Sequence, residues 1–99
     1  MFTVRVIASL KPTAAAEALD QLRREVAEVP EQFAGCECFE VFVDPTDSTR
    51  FLLYEEWTDR SAFEAYRTSD YFEAGGAILF PAIAGAPNSA YYASELVSP

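Results

Sequence analysis

The 99-residue chain has no histidine and two cysteines, Cys36 and Cys38. A Cys/His metal site cannot be assembled from that set, because such sites need three or four of these ligands. Side chains at i and i+2 of a strand point to one face about 7 Å apart, which is poor geometry for a disulfide. The two cysteines read as small buried residues in a reducing compartment. Cations are also scarce: 7 Lys and Arg stand against 16 Asp and Glu, a net charge of −9. The few cations are scattered, and phosphate neutralisation needs them clustered. Nucleic acid and anionic membrane surfaces are therefore excluded as expected partners. No apolar run is long enough to span a bilayer. The opening Met-Phe-Thr-Val-Arg-Val-Ile lacks the basic leader and long apolar stretch of a signal peptide. The expected setting is cytoplasmic, with the acidic excess serving solubility.

What the chain does have is apolar and aromatic bulk: 51% hydrophobic and 14% aromatic residues, with a single tryptophan. A chain of this length forms one domain, residues 1–99, and buries roughly 65% of its unfolded surface. So much apolar content in so small a domain implies a large interface with a second copy, an aromatic-lined cavity, or both.

The hydrophobic pattern predicts six or seven elements. Phe2 to Leu10 is rich in β-branched residues and reads as a strand, with Phe2, Val4, Val6 and Ala8 on one face. Pro12 breaks it and Thr13 is the expected cap of a helix from Ala14 to about Val29, stopped by Pro30. Ala15, Ala18, Leu19, Leu22, Val26 and Val29 form its apolar stripe. Cys36 to Val43 is a second strand, Asp44 to Ser48 a turn, and Arg50 to Trp57 a third strand pairing back as a hairpin. Phe51, Leu53, Glu55 and Trp57 share one face of that strand, and Leu52, Tyr54 and Glu56 the other. Apolar residues on both faces predict burial on both sides, by helices on one and a partner on the other.

Thr58-Asp59 caps a short helix with Ala62, Phe63 and Tyr66 inward, and Ser69-Asp70 caps another reaching about Phe80. Gly75-Gly76 interrupts the second, as a hinge or as a close packing point. Asn88 to Val97 is the expected fourth strand. The order β-α-β-β-α(α)-β is that of an α+β, ferredoxin-like domain with a four-stranded antiparallel sheet.

Four stretches of the chain form a recognisable series. They are Val4-x-Val6-x-Ala8-x-Leu10-Lys11-Pro12, then Gly35-Cys36-x-x-Phe39-Glu40-Val41-x-x-Asp44-Pro45, then Phe51-x-Leu53-Tyr54-Glu55-Glu56-Trp57, then Ser69-x-x-Phe72. Together they resemble the antibiotic biosynthesis monooxygenase family over essentially the whole chain. The resemblance implies a dimeric α+β barrel, two sheets back to back with helices outside and a small pocket between each sheet and its own helices. Members include cofactor-free oxygenases of phenols and quinols, haem-degrading enzymes, isomerases of small metabolites and proteins without known activity. The positions where many relatives carry histidine are Tyr66 and Tyr71 here, and the polyketide oxygenases' pocket asparagine is Leu53. With no histidine, haem degradation is disfavoured.

The resemblance thus implies a homodimer that binds a small aromatic or quinol-like ligand and needs no cofactor or metal. A cofactor-free oxygenase must deprotonate a phenol or enol and hold the anion in a dry pocket. Trp57, Tyr66 and Tyr71 are the candidates to bond or relay a proton to substrate. Each is equally readable as a packing residue. Glu55 becomes a base if it lies in an apolar pocket; the other reading places it at the sheet edge. Phe51, Leu53, Phe63 and Ile78 are core residues, and pocket walls if a cavity exists. The competing functions are a non-catalytic or stress-related binding dimer and a non-oxidative isomerase.

Overall fold

The computed structural model describes all 99 residues. Strand β1 (Phe2–Leu10) leads through a turn of 3₁₀ helix (Pro12–Ala14) into α1 (Ala15–Gln32). The hairpin β2 (Cys36–Asp44) and β3 (Asp47–Trp57) follows, then α2 (Arg60–Arg67) and α3 (Asp70–Leu79). A second 3₁₀ turn (Phe80–Ala82) opens β4 (Ile83–Ala93). The sheet is antiparallel in the order β2-β3-β1-β4, so β1 and β3 are central and the architecture is the expected ferredoxin-like α+β one.

The helices cover one face. Phe2, Val4, Phe39 and Trp57 of the sheet pack against Val29, Phe63 and Tyr66. Ala8, Leu10 and Phe51 pack against Ala18 and Leu22 of α1 and against Ala82. The buried stripe of α1 is Ala18, Gln21, Leu22, Glu25 and Val29, so it contains two polar residues that an apolar count passes over. On the uncovered face stand Arg5, Ile7, Leu52, Tyr54 and Glu56, with Phe42 50% and Tyr92 45% exposed.

Several expected boundaries move, each for a local reason. Thr13 caps nothing: the helix begins after Ala14, with no side-chain cap. Pro30 does not stop α1, because it falls in the last turn, where it removes a single N–H bond, and the Phe33 N–H still reaches the Val29 carbonyl. The β2–β3 ladder runs down to Asp44↔Asp47, leaving a tight connection at Pro45 and Thr46. Asp44 Oδ1 accepts from the Thr46 N–H at 2.8 Å, and Asp47 Oδ1 from the Thr49 N–H at 3.0 Å.

β4 starts at Ile83 rather than Asn88 and ends at Ala93 rather than Val97. Its partner sets both limits. Leu10 of β1 pairs with Ile83, and Ser94 donates to the carbonyl of Met1, beyond which β1 offers nothing. A bulge between the Ile7↔Asn88 and Ser9↔Ala84 pairs contains Gly85 at φ +76°, a conformation that suits glycine. Pro87 is tolerated because β4 is an edge strand.

Cys36 and Cys38 do not share a face. A bulge in β2 sets Cys36 opposite Trp57 and Cys38 opposite Glu56, which lie on opposite sides of β3. Both thiols are partly exposed, and desolvation pushes that of Cys36 up to about 12, away from thiolate chemistry.

Gly75 and Gly76 leave α3 intact. A Cβ on Gly75 would stand 2.9 Å from Glu25 Oε2, and one on Gly76 2.6 Å from the Phe80 ring. Both mark close packing.

Candidate functional site

Between the covered face of the sheet and the helices lies a cavity of about 200 Å³. An engineered cavity of roughly 150 Å³ is enough for benzene, so this one has room for a one- or two-ring aromatic. Val4, Val6, Phe51 and Leu53 form its floor, Phe63, Phe72 and Leu79 its sides, and Ile83 and Tyr91 its end. Four polar groups interrupt these walls: Glu25, Glu55, Arg67 and Ser89, with Tyr66 beside them.

Glu55 is 3% exposed. It is on the helix-covered side because the alternation of β3 puts Phe51, Leu53, Glu55 and Trp57 together, and Glu55 pairs with Val4 and Phe39 on its two neighbours. The Trp57 indole N–H donates to its Oε1 at 2.9 Å. Its Oε2 has no partner in the chain, yet is not among the fully buried unpartnered atoms, so it opens into the cavity. Desolvation pushes this carboxyl up to about 7; the Trp57 bond works against that shift, and the charge of Glu25 adds to it.

Glu25 reaches the same cavity from α1 and is 4% exposed. Its Oε2 accepts from Gln21 Nε2 at 2.9 Å and its Oε1 from the Tyr66 hydroxyl at 3.4 Å. Burial raises its pKa against the opposing effect of those two bonds. Tyr66 stacks on Trp57 with ring centroids 5.2 Å apart, and burial followed by the charges of Glu25 and Glu55 drives its pKa upward. It stays protonated at neutral pH and can donate or accept a hydrogen bond but not act as a base.

The structure places the anticipated residues unequally. Phe51, Leu53, Glu55, Phe63 and Tyr66 meet at the cavity wall. Trp57, fully buried, stands one layer behind and touches the cavity through Glu55 and Tyr66. Tyr71 points elsewhere: its hydroxyl donates to Glu28 at 2.9 Å on the exposed side of α1 and its ring packs on Phe33. Desolvation and Glu28 raise its pKa. Ile78 is off the wall, where α3 instead presents Phe72, Gly76 and Leu79 at helical spacing.

Glu25 was not anticipated, although a signal existed. It stands three residues after Leu22 and four before Val29, so a charged residue occupies a stripe position. Ser89 and Tyr91 lie within the expected fourth strand, but only its pairing with β1, Val6 to Ser89 and Val4 to Tyr91, sets them on the cavity side.

A profile of the antibiotic biosynthesis monooxygenases matches residues 1–77. The chain belongs to the antibiotic biosynthesis monooxygenase family. No curated protein matches it. Solved structures do. A crystal structure of an antibiotic biosynthesis monooxygenase is 25% identical, with a TM-score of 0.83, over 97% of this chain and 100% of that one. A candidate family member from Caulobacter crescentus is 27% identical, with a TM-score of 0.86, over 95% of this chain and 90% of its own. One from Nitrosomonas europaea, 21% identical with a TM-score of 0.86 over 95% and 98% of the two chains, shares the fold. No helix is long and apolar enough to cross a membrane.

Proposed function

We propose that this member of the family is a cofactor-independent monooxygenase, oxidising a small aromatic, phenolic or quinol substrate with O₂ in the cavity described above. The observation that supports it is Glu55: a buried carboxyl held near 7, with one oxygen fixed by Trp57 and the other open to an apolar chamber. A base poised near the working pH is what proton abstraction needs.

In this reading Glu55 Oε2 takes the proton of a phenol or of an activated ring C–H. The dry, aromatic walls of Phe51, Leu53 and Phe63 hold the resulting anion beside O₂. The anion passes one electron to O₂, the radical pair combines into a peroxide anion that regains the proton from Glu55, and loss of water from the hydroperoxide leaves the quinone. One oxygen atom enters the product and the other leaves as water. Tyr66 bonds a substrate oxygen and Trp57 holds Glu55 in place. Tyr71 and Ile78, away from the wall, have no part in this scheme.

The proposal includes a cytoplasmic homodimer formed through the uncovered sheet face. Phe42 and Tyr92 support this, because they leave large apolar rings about half exposed on that face, and such surface favours a covering partner.

The test is oxygen uptake with a panel of one- and two-ring phenols and quinols, without flavin or metal. The expected result is uptake equal to product formed. Product formed at the same rate without O₂ would replace the oxygenase by the isomerase, and tight binding without turnover would replace it by the binding dimer.

A further inference from the structure

The cavity holds a second carboxylate that base chemistry at Glu55 does not use. Glu25 belongs to an ordered chain of hydrogen bonds on the helix side. Arg24 donates to Gln21 Oε1 at 2.6 Å and 3.2 Å from two nitrogens. That fixes the orientation of the Gln21 amide, so its nitrogen must donate to Glu25 Oε2. The other Glu25 oxygen faces the Tyr66 hydroxyl. Gly75 lies against this carboxylate, where a larger residue would collide with Oε2. The chain of bonds therefore ends at a hydroxyl in the cavity wall, and Glu25 decides which way that hydroxyl points.

We propose that Glu25 is a positioning residue that sets the hydrogen-bond polarity of Tyr66 toward the ligand, and so makes the cavity select ligands bearing two hydroxyl donors over their dicarbonyl counterparts. The proposal rests on the same site as the oxygenase reading but concerns binding alone. An ionised Glu25 takes the proton of the Tyr66 hydroxyl as its hydrogen bond. Tyr66 then offers lone pairs to the cavity, as does Glu55 Oε2, which lines the same cavity. Two acceptors in one cavity suit a ligand with two hydroxyl donors. A carbonyl at either position meets an oxygen lone pair and loses that bond. When Glu25 is neutral it donates to Tyr66 instead, and Tyr66 turns its O–H to the ligand. The charged and titratable groups around Glu25 are Arg24 and Glu28 on its own helix, Glu55 on β3, Tyr66 on α2 and Tyr71 on α3, whose Gly75 packs directly on the carboxylate.

Glu25→Gln tests this directly. The fixed Gln21 amide takes the new side chain's carbonyl and leaves its NH₂ toward Tyr66. Tyr66 then becomes a donor to the cavity. The probes are naphthohydroquinone and naphthoquinone, with binding measured by calorimetry under strict anaerobiosis at mildly alkaline pH. The wild type is expected to prefer the quinol by about tenfold, the factor that one hydrogen bond commonly contributes. Glu25→Gln is expected to cancel or reverse that preference, and to have no effect on it when Tyr66→Phe is already present.

A ratio that stays within twofold in folded Glu25→Gln overturns the proposal, as does a shift that persists in the Tyr66→Phe background. If Glu25→Gln fails to fold, Tyr66→Phe alone decides: loss of the quinol preference supports the proposal and an unchanged preference overturns it. Binding of neither probe by the wild type overturns the parent reading and this one with it, whereas binding without preference overturns this one alone.

Discussion

Glu55 and Glu56 are adjacent on β3 and face different surroundings. Glu55 points under the helices into an apolar chamber, bonded to an indole N–H and 3% exposed. Glu56 points to the uncovered face, where it accepts from the Tyr54 hydroxyl and pairs across the sheet with Thr3 and Cys38. The same side chain, one residue apart, is a candidate base on one side and a group of the uncovered sheet face on the other. The difference comes from the alternation of the strand and from what covers each face, not from local sequence.

The sharpest way to break this comparison is to neutralise each in turn. Glu55→Gln should lower turnover at least about 100-fold, the usual scale for losing a general base, while Glu56→Gln should leave the rate within about twofold once the protein is assembled. Steady-state oxygen uptake reads both. Equal effects would remove the distinction between the faces.

Stability against pH gives the next largest effect. Glu55 has a folded value of about 7 against 4.5 for the free group. The native state therefore holds extra protons between these values. The stability from the neutral carboxyl is complete below the lower value and is lost as pH rises through the upper one. Wild-type unfolding free energy should fall by roughly 3 kcal/mol across this window. Glu55→Gln should remove most of that slope and be more stable than wild type at alkaline pH. Urea titrations at several pH values measure it.

The uncovered face is expected to respond through assembly. Leu52→Asp should weaken a dimer at least about tenfold, because it puts a charge into a desolvated interface. The helix-side core and its thermal transition in the dissociated protomer should change little. Light scattering across a concentration series reads the outcome, and a monomer at micromolar concentration in the wild type would end the dimer proposal.

The smallest expected effect separates the two glycines of α3. Gly76→Ala should stabilise by about 0.5–1 kcal/mol, since helix propensity improves and the exposed Phe80 ring is able to move aside. Gly75→Ala gains the same propensity but presses on a carboxylate held at both oxygens, so it should be neutral or destabilising. Melting temperatures of the two variants compare them.

Much of this contrast was legible in the chain itself. The period-two pattern from Phe51 to Trp57 assigned Glu55 and Glu56 to opposite faces, and Asp59 and Ser69 marked the starts of α2 and α3 where they occur. The boundaries of β4 were not legible, because they depend on where β1 runs out and on the bulge at Gly85, which are properties of a partner strand distant in sequence. Tyr71 was a candidate through the family resemblance and Ile78 as an apolar residue of its helix, yet a rotation of one residue on a helix moves a side chain by about 100°. Glu25 was hidden for a related reason. A carboxylate on an apolar stripe has meaning only once Gln21 and Tyr66 are seen to bond it.

The most direct test of the central claim is a carbon-13 titration of the glutamate side-chain carboxyls, with Glu55 assigned by its disappearance in Glu55→Gln. A midpoint near 7 is expected for Glu55. A midpoint near the free value of 4.5 would mean that Glu55 is solvated, and would contradict its role as the base of a dry cavity.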